Sequence, residues 1–145
     1  MEQLKKGMGY CTALPFGPDR DACIGGFGKD FVSLVGSHDL RKRDAGVFSD
    51  RQMQDVDNLC KQNEDPRDVH TCEAYAVSMF FWGGYADPSL APRFCNMLGD
   101  PDSRGYCWDY LSDSISHMIA DKEARSLRCE TVPPQFRERC NADPL

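Results

Sequence analysis

Cysteine offers this 145-residue chain its richest chemistry, and its placement is regular. The eight cysteines stand at 11, 23, 60, 72, 95, 107, 129 and 140, which makes four pairs separated by 12, 12, 12 and 11 residues. Three chemistries compete for such a set. Zinc sites bring two cysteines within two to four residues of each other, and no C-x2-C or C-x4-C occurs. Haem attachment needs C-x-x-C-H and thioredoxin-like exchange needs C-x-x-C, which are also absent. An even count at fixed spacing reads instead as a disulfide framework, formed in an oxidising compartment outside the cytosol. The expected bridges are Cys11–Cys23, Cys60–Cys72, Cys95–Cys107 and Cys129–Cys140, one connectivity among the roughly 105 that eight cysteines allow. A second reading keeps the cysteines reduced, in a copper- or zinc-binding or thiol-redox protein. Met8, Met53, Met79 or Met97 would then supply soft ligands for copper(I).

Other reactive groups are sparse. "GGFGKD" at 25–30 lacks the full phosphate-loop pattern and a preceding strand. His38, His70 and His117 fall in three different parts of the chain, without a histidine or cysteine at i+3 or i+4, and each reads as a surface histidine with its hydrogen bonds met. Neither G-x-S-x-G nor H-E-x-x-H occurs. The expectation is a protein that binds rather than catalyses, with no cofactor. A formal net charge of −6 disfavours a general phosphate-binding surface, so no nucleic-acid partner is expected. No apolar run approaches the roughly 18 residues needed to span a bilayer. The start, "MEQLKKGMGYC", has no apolar h-region, which fits an initiator placed where a leader was removed.

Regular cysteines need regular elements to hold them. Cys60, Cys95 and Cys129 are 35 and 34 residues apart, the period of a helix-turn-helix repeat. A proline stands five or six residues before the second cysteine of each pair, at Pro18, Pro66, Pro101 and Pro134, where it opens a helix. In the third unit Gly99 is placed to stop the first helix at Leu98, and Asp100 to cap the next. At roughly 1.5 Å per residue, the two cysteines of a pair then lie nearly level across an antiparallel hairpin. The expected fold is all-α: about seven short helices in stacked antiparallel hairpins, TPR-like, each turn clamped by a disulfide. First helices are expected over about 3–12, 49–61, 88–98 and 121–130. The units of this single domain cover about 3–35, 49–85, 88–120 and 121–145, with an insertion at 36–49. The second helix of the last unit is expected to be little more than a turn.

Periodicity supports the stack. Ile24, Phe27, Phe31 and Leu34 mark one amphipathic face, and Trp108, Leu111, Ile115 and Met118 another. The helix from Pro66 to about Trp82 carries apolar residues all round, as a helix with neighbours on every side should. A basic residue also recurs near the start of each second helix, three places before the second cysteine at Arg20, Arg104 and Arg137 and two places before it at His70. A cation is disfavoured in the first turn of a helix, so each is expected to bond carbonyls or carboxylates of the adjacent turn. The alternative is a ligand-binding ladder.

Two departures from the repeat mark where a partner would be sought. The polar insertion carries Arg41, Lys42 and Arg43, and "FFWGGY" at 80–85 carries Trp82 and Tyr85 at the end of a helix. Gly25, Gly26 and Gly28 also interrupt a helix, at a cost of about 1 kcal/mol each relative to alanine, which points to close approach of a neighbouring helix. As cysteine-clamped helical hairpins, the pairs resemble the mitochondrial twin Cx9C proteins. In that family the two disulfides join two long helices at a different spacing, whereas each pair here closes its own turn. The residues identify no specific family. They describe an extracytoplasmic (periplasmic or secreted) helical-repeat module for a protein or peptide partner, self-association included.

Overall fold

Prolines and short polar side chains open most of the helices where the spacing requires. The computed structural model describes residues 2–36, 48–82 and 87–143, with Trp82 by its backbone alone. These residues form α1 (Glu2–Thr12), α2 (Pro18–Gly36), α3 (Asp50–Cys60), α4 (Pro66–Trp82), α5 (Leu90–Met97), α6 (Pro101–Met118), α7 (Lys122–Cys129) and α8 (Pro134–Asn141). All regular structure among the described residues is helical, as expected. Ser49 opens α3 with a reciprocal capping box to Gln52, Asp100 caps α6 ahead of Pro101, and Asp121 caps α7. Each such cap satisfies backbone N–H groups that the first turn leaves open.

The four expected bridges all form. Their Cα atoms lie 5.5 to 5.7 Å apart, the normal span of a disulfide. Each bridge ties the last turn of one helix to the following helix, so α1–α2, α3–α4, α5–α6 and α7–α8 are clamped pairs. The second helices of successive pairs pack side by side, α2 on α4, α4 on α6 and α6 on α8.

α4 lies at the centre of this packing, with α2 and α6 on its flanks and α3 and α5 behind. From residue 68 to residue 81 it exposes no residue, which is why its sequence is apolar all round. Behind it Phe80 stands edge-on to Phe48 at 4.9 Å and lies 5.1 Å from Phe94, a favoured aromatic geometry. Two glycines let α2 approach. A Cβ at Gly28 would stand 2.3 Å from the Cys72 carbonyl oxygen, and one at Gly25 would stand 2.4 Å from the Tyr75 ring. Gly26 faces open space, and nothing in the structure explains it.

Some expectations need correction. Eight helices are present among the described residues, not about seven, because α8 runs for eight residues, about two turns, and packs against α6. α5 ends without a left-handed glycine. Leu98 turns extended (φ −60°, ψ 124°) and is buried, so the apolar side chain anchors the exit. Leu34 and Met118, assigned to core faces, are 58% and 56% exposed. They lie at the last turns of α2 and α6, and Val32 takes the inward position on α2.

Candidate binding groove

Three of the four recurrent basic residues are locks. Arg20 donates to the carbonyls of Thr12 (2.9 Å) and Leu14 (3.0 Å), and Arg104 to those of Leu98 (2.7 Å) and Gly99 (3.1 Å). Arg137 reaches Val132 (3.1 Å) and Glu130 (3.3 Å). Each guanidinium, awkward at the positive start of its own helix, is held by the carbonyl-rich end of the helix before it. Arg20 makes a further pair with the Asp68 carboxylate of α4.

His70 is the exception. Its Nε2 faces Asp100 Oδ2 of the next pair at 3.7 Å, and its ring stacks on Tyr106 at 4.6 Å. In its turn the Asn63 side chain donates to the Cys60 carbonyl instead (2.9 Å). So His70 is not an ordinary surface histidine: it is largely covered and forms part of a groove.

This open groove of about 420 Å³ runs across the face made by the second helices. Phe16 and Gly17 from the first turn and Asp21 from α2 form one wall. Arg67, His70, Thr71 and Ala74 of α4 lie along it, and Tyr106, Asp109, Tyr110 and Asp113 of α6 and Arg139 of α8 complete it. All four clamped pairs therefore contribute. Phe16 is held between two cations, with Arg67 3.4 Å and Arg20 3.9 Å from its ring centroid, yet remains 47% exposed. Tyr106 is 58% exposed. Deeper, Tyr110 lies 6.1 Å from Tyr75, and burial, reinforced by that neighbouring phenol, raises its pKa above the usual tyrosine value.

The charges of the groove are largely paired, within the lining or with groups beside it. Arg139 binds Asp109 at 2.5 Å and Asp113 at 3.4 Å, and His117 Nδ1 lies 3.5 Å from Asp113. Arg67 pairs with Asp65 at 3.1 Å, and this bond holds the Asp65 carboxyl below its ordinary range. The lining carries three carboxylates against two guanidinium groups.

The partner surface expected from sequence, Arg41, Lys42, Arg43, Tyr85 and the side chain of Trp82, falls outside the described residues, as do His38, Gly83 and Gly84. Phe80, from the same aromatic group, belongs to the core. The reduced-cysteine reading loses its ligands. All eight cysteines are paired, Met8 and Met53 are buried in the core, and Met79 and Met97 pack against it. Among the described residues no group of three or more His, Cys, Asp or Glu side chains is placed to hold a metal ion. Sequence reasoning missed Phe16, Tyr106 and Arg139. The available signal was an aromatic inside a cysteine-bounded phrase, at Phe16 two residues before a helix-opening proline and at Tyr106 directly before a bridging cysteine. No family model, curated protein or solved structure matches the chain.

Proposed function

We propose that the chain is an extracytoplasmic interaction module whose groove takes a peptide segment of a partner protein, and that this segment is basic with an aromatic or long aliphatic anchor. The observation that carries the reading is the composition of the groove. Exposed rings of Phe16 and Tyr106 stand over small residues, Gly17, Thr71 and Ala74, beside the carboxylates Asp21, Asp109 and Asp113. Rings of this kind bury much area at small entropic cost and commonly anchor partners. Charge complementarity selects a cationic partner: the groove's carboxylates outnumber its guanidinium groups, and the whole chain carries a net charge of −6. Four intrachain disulfides suit an oxidising compartment. Among the described residues no helix is long and apolar enough to cross a membrane. Most charged groups of the groove hold an ion-pair partner in or beside the lining, an arrangement suited to recognition rather than to activating a nucleophile.

Selection of a displayed random peptide library on the native protein tests this. The expected outcome is enrichment of lysine or arginine next to an aromatic or leucine, binding that weakens as salt rises, and loss of that binding in the Phe16→Ala, Tyr106→Ala variant with its thermal transition retained. Enrichment of acidic peptides, or binding that survives in the double variant, overturns the reading. Homodimer formation abolished by the same two changes would replace the foreign peptide with a second copy of the chain.

A further inference from the structure

Away from the groove, a carboxyl group lies where no solvent reaches. Glu73 of α4 is 1% exposed, and so is Asp57 of α3. Neither oxygen of Glu73 receives a hydrogen bond from an N–H or O–H donor, and Oδ1 of Asp57 receives none either. The other Asp57 oxygen pairs with the Lys61 ammonium at 2.7 Å. Two buried carboxyl groups thus stand against one cation, the half-exposed Lys61, and Glu73 has the Asp57 carboxyl and the Ser103 hydroxyl as its polar neighbours. Like charges in such a site cannot both ionise without large cost, whereas one shared proton makes one group the donor and the other the acceptor.

Among the described residues the surroundings supply no second cation. From α3 come Asp57 and Lys61 themselves, and from α6 come the Ser103 hydroxyl and, at its cap, Asp100. On α2, Arg20 is held by Asp68, and Lys29 lies over the Tyr75 ring at 5.4 Å. On α5, Arg93 is turned to Asp50 and the Phe48 carbonyl. On α4 itself, His70 faces Asp100.

We propose that Asp57 and Glu73 form a proton-held latch joining α3 and α4 to α6, closed while the pair shares one proton and loosened when that proton is lost. Burial, followed by the facing Asp57, pushes the Glu73 carboxyl up to about 8. The folded protein therefore keeps a proton that the unfolded chain gives up near 4.5. Folding stability falls as pH rises through that window, and the loss is complete above it. Because α4 and α6 both line the groove, the latch also governs the packing of the face that would meet a partner, although its own operation needs no ligand.

The test uses the full oxidised chain. Carbon-13 labelling of glutamate side chains follows the Glu73 carboxyl by NMR from pH 3 to pH 10, with Glu73→Gln used to assign the signal. Urea unfolding is measured in parallel across the same range. The expected results are a Glu73 carboxyl titrating above pH 7 and a wild-type stability that declines between about pH 5 and 8. That decline should be absent or much reduced in Glu73→Gln. A carboxyl signal titrating below pH 5 overturns the latch whether or not any variant folds. So does an unchanged decline in Glu73→Gln. If Glu73→Gln does not fold, Asp57→Asn serves, and the Glu73 signal should then move down in pH for want of its like-charged neighbour.

Discussion

The Arg20 guanidinium and the Asp68 carboxylate meet side by side inside the protein, with Nε 3.0 Å from Oδ1 and Nη2 paired with Oδ2. The pair joins the first clamped turn to the opening of α4, and the same guanidinium holds the two carbonyls that end α1 and its turn. One side chain therefore registers the first helix pair against the second. A planar donor fork meets a carboxylate in two parallel bonds in a way lysine cannot reproduce.

Arg20→Lys is accordingly expected to lower the melting temperature, and Asp68→Ala to lower it more, since it leaves a buried guanidinium without its anion. The double change Arg20→Met, Asp68→Leu should recover part of the loss. Thermal scans of the three variants check the order. Equal melting temperatures for Asp68→Ala and wild type would remove the pair from the account of how the units register.

Two glycines of α2 should respond in opposite directions. Gly28→Ala would place a Cβ 2.3 Å from the Cys72 carbonyl oxygen. A backbone atom tied to a disulfide has little room to yield, so a loss of about 1–3 kcal/mol is expected, as for other overpacked sites. Gly26→Ala meets nothing within 4 Å and should gain up to about 1 kcal/mol from helix propensity. Urea denaturation of the two variants gives both signs.

Titration of native protein with a thiol reagent should find no free cysteine, and non-reducing peptide mapping should link cysteines only within a pair. Each clamp closes a loop of about a dozen residues, worth nearly 3 kcal/mol in the chain-entropy model. Reductant should therefore lower the melting temperature steeply. Replacing Cys129 and Cys140 with serine should fray α7 and α8 first, because helices of eight residues are marginal without tertiary support. Hydrogen exchange resolved by segment would show that fraying.

Acid should act in the opposite sense to the interior carboxyl pair. The Asp100 carboxyl is held below its ordinary 3.8, despite partial desolvation, by the cap bonds it accepts. That of Asp143 is held down by Arg125. Both favour the folded state above the unfolded value and lose that contribution as pH falls through their lowered values. With Glu73 costing stability above about 4.5, the optimum is expected near pH 5 rather than at neutrality. A melting-temperature profile from pH 2 to pH 9 measures it.

How much of this was legible depends on the range over which each signal acts. The limits of α4 are the expected Pro66 and Trp82 because proline is local punctuation, and the bridges follow because a hairpin equates sequence spacing with height. First helices fall within two residues of expectation for the same reason. Leu34 and Met118 misled because period alone does not say which residues of a face a neighbour covers. The groove was not legible. Its walls come from Phe16, His70, Tyr106 and Arg139, residues brought together by lateral packing of second helices, and no spacing along the chain encodes that packing. The Asp57–Glu73 pair escaped because charged residues in a helix ordinarily read as surface.

Each disulfide joins cysteines that are consecutive along the chain. As the polypeptide emerges from its N-terminus, every odd-numbered cysteine therefore waits only for the next one to appear. If oxidation keeps pace with emergence, no more than one thiol is unpaired at any moment, and a wrong partner is never at hand. On that condition, forming these four bridges requires a donor of disulfides but no reshuffling of misplaced ones.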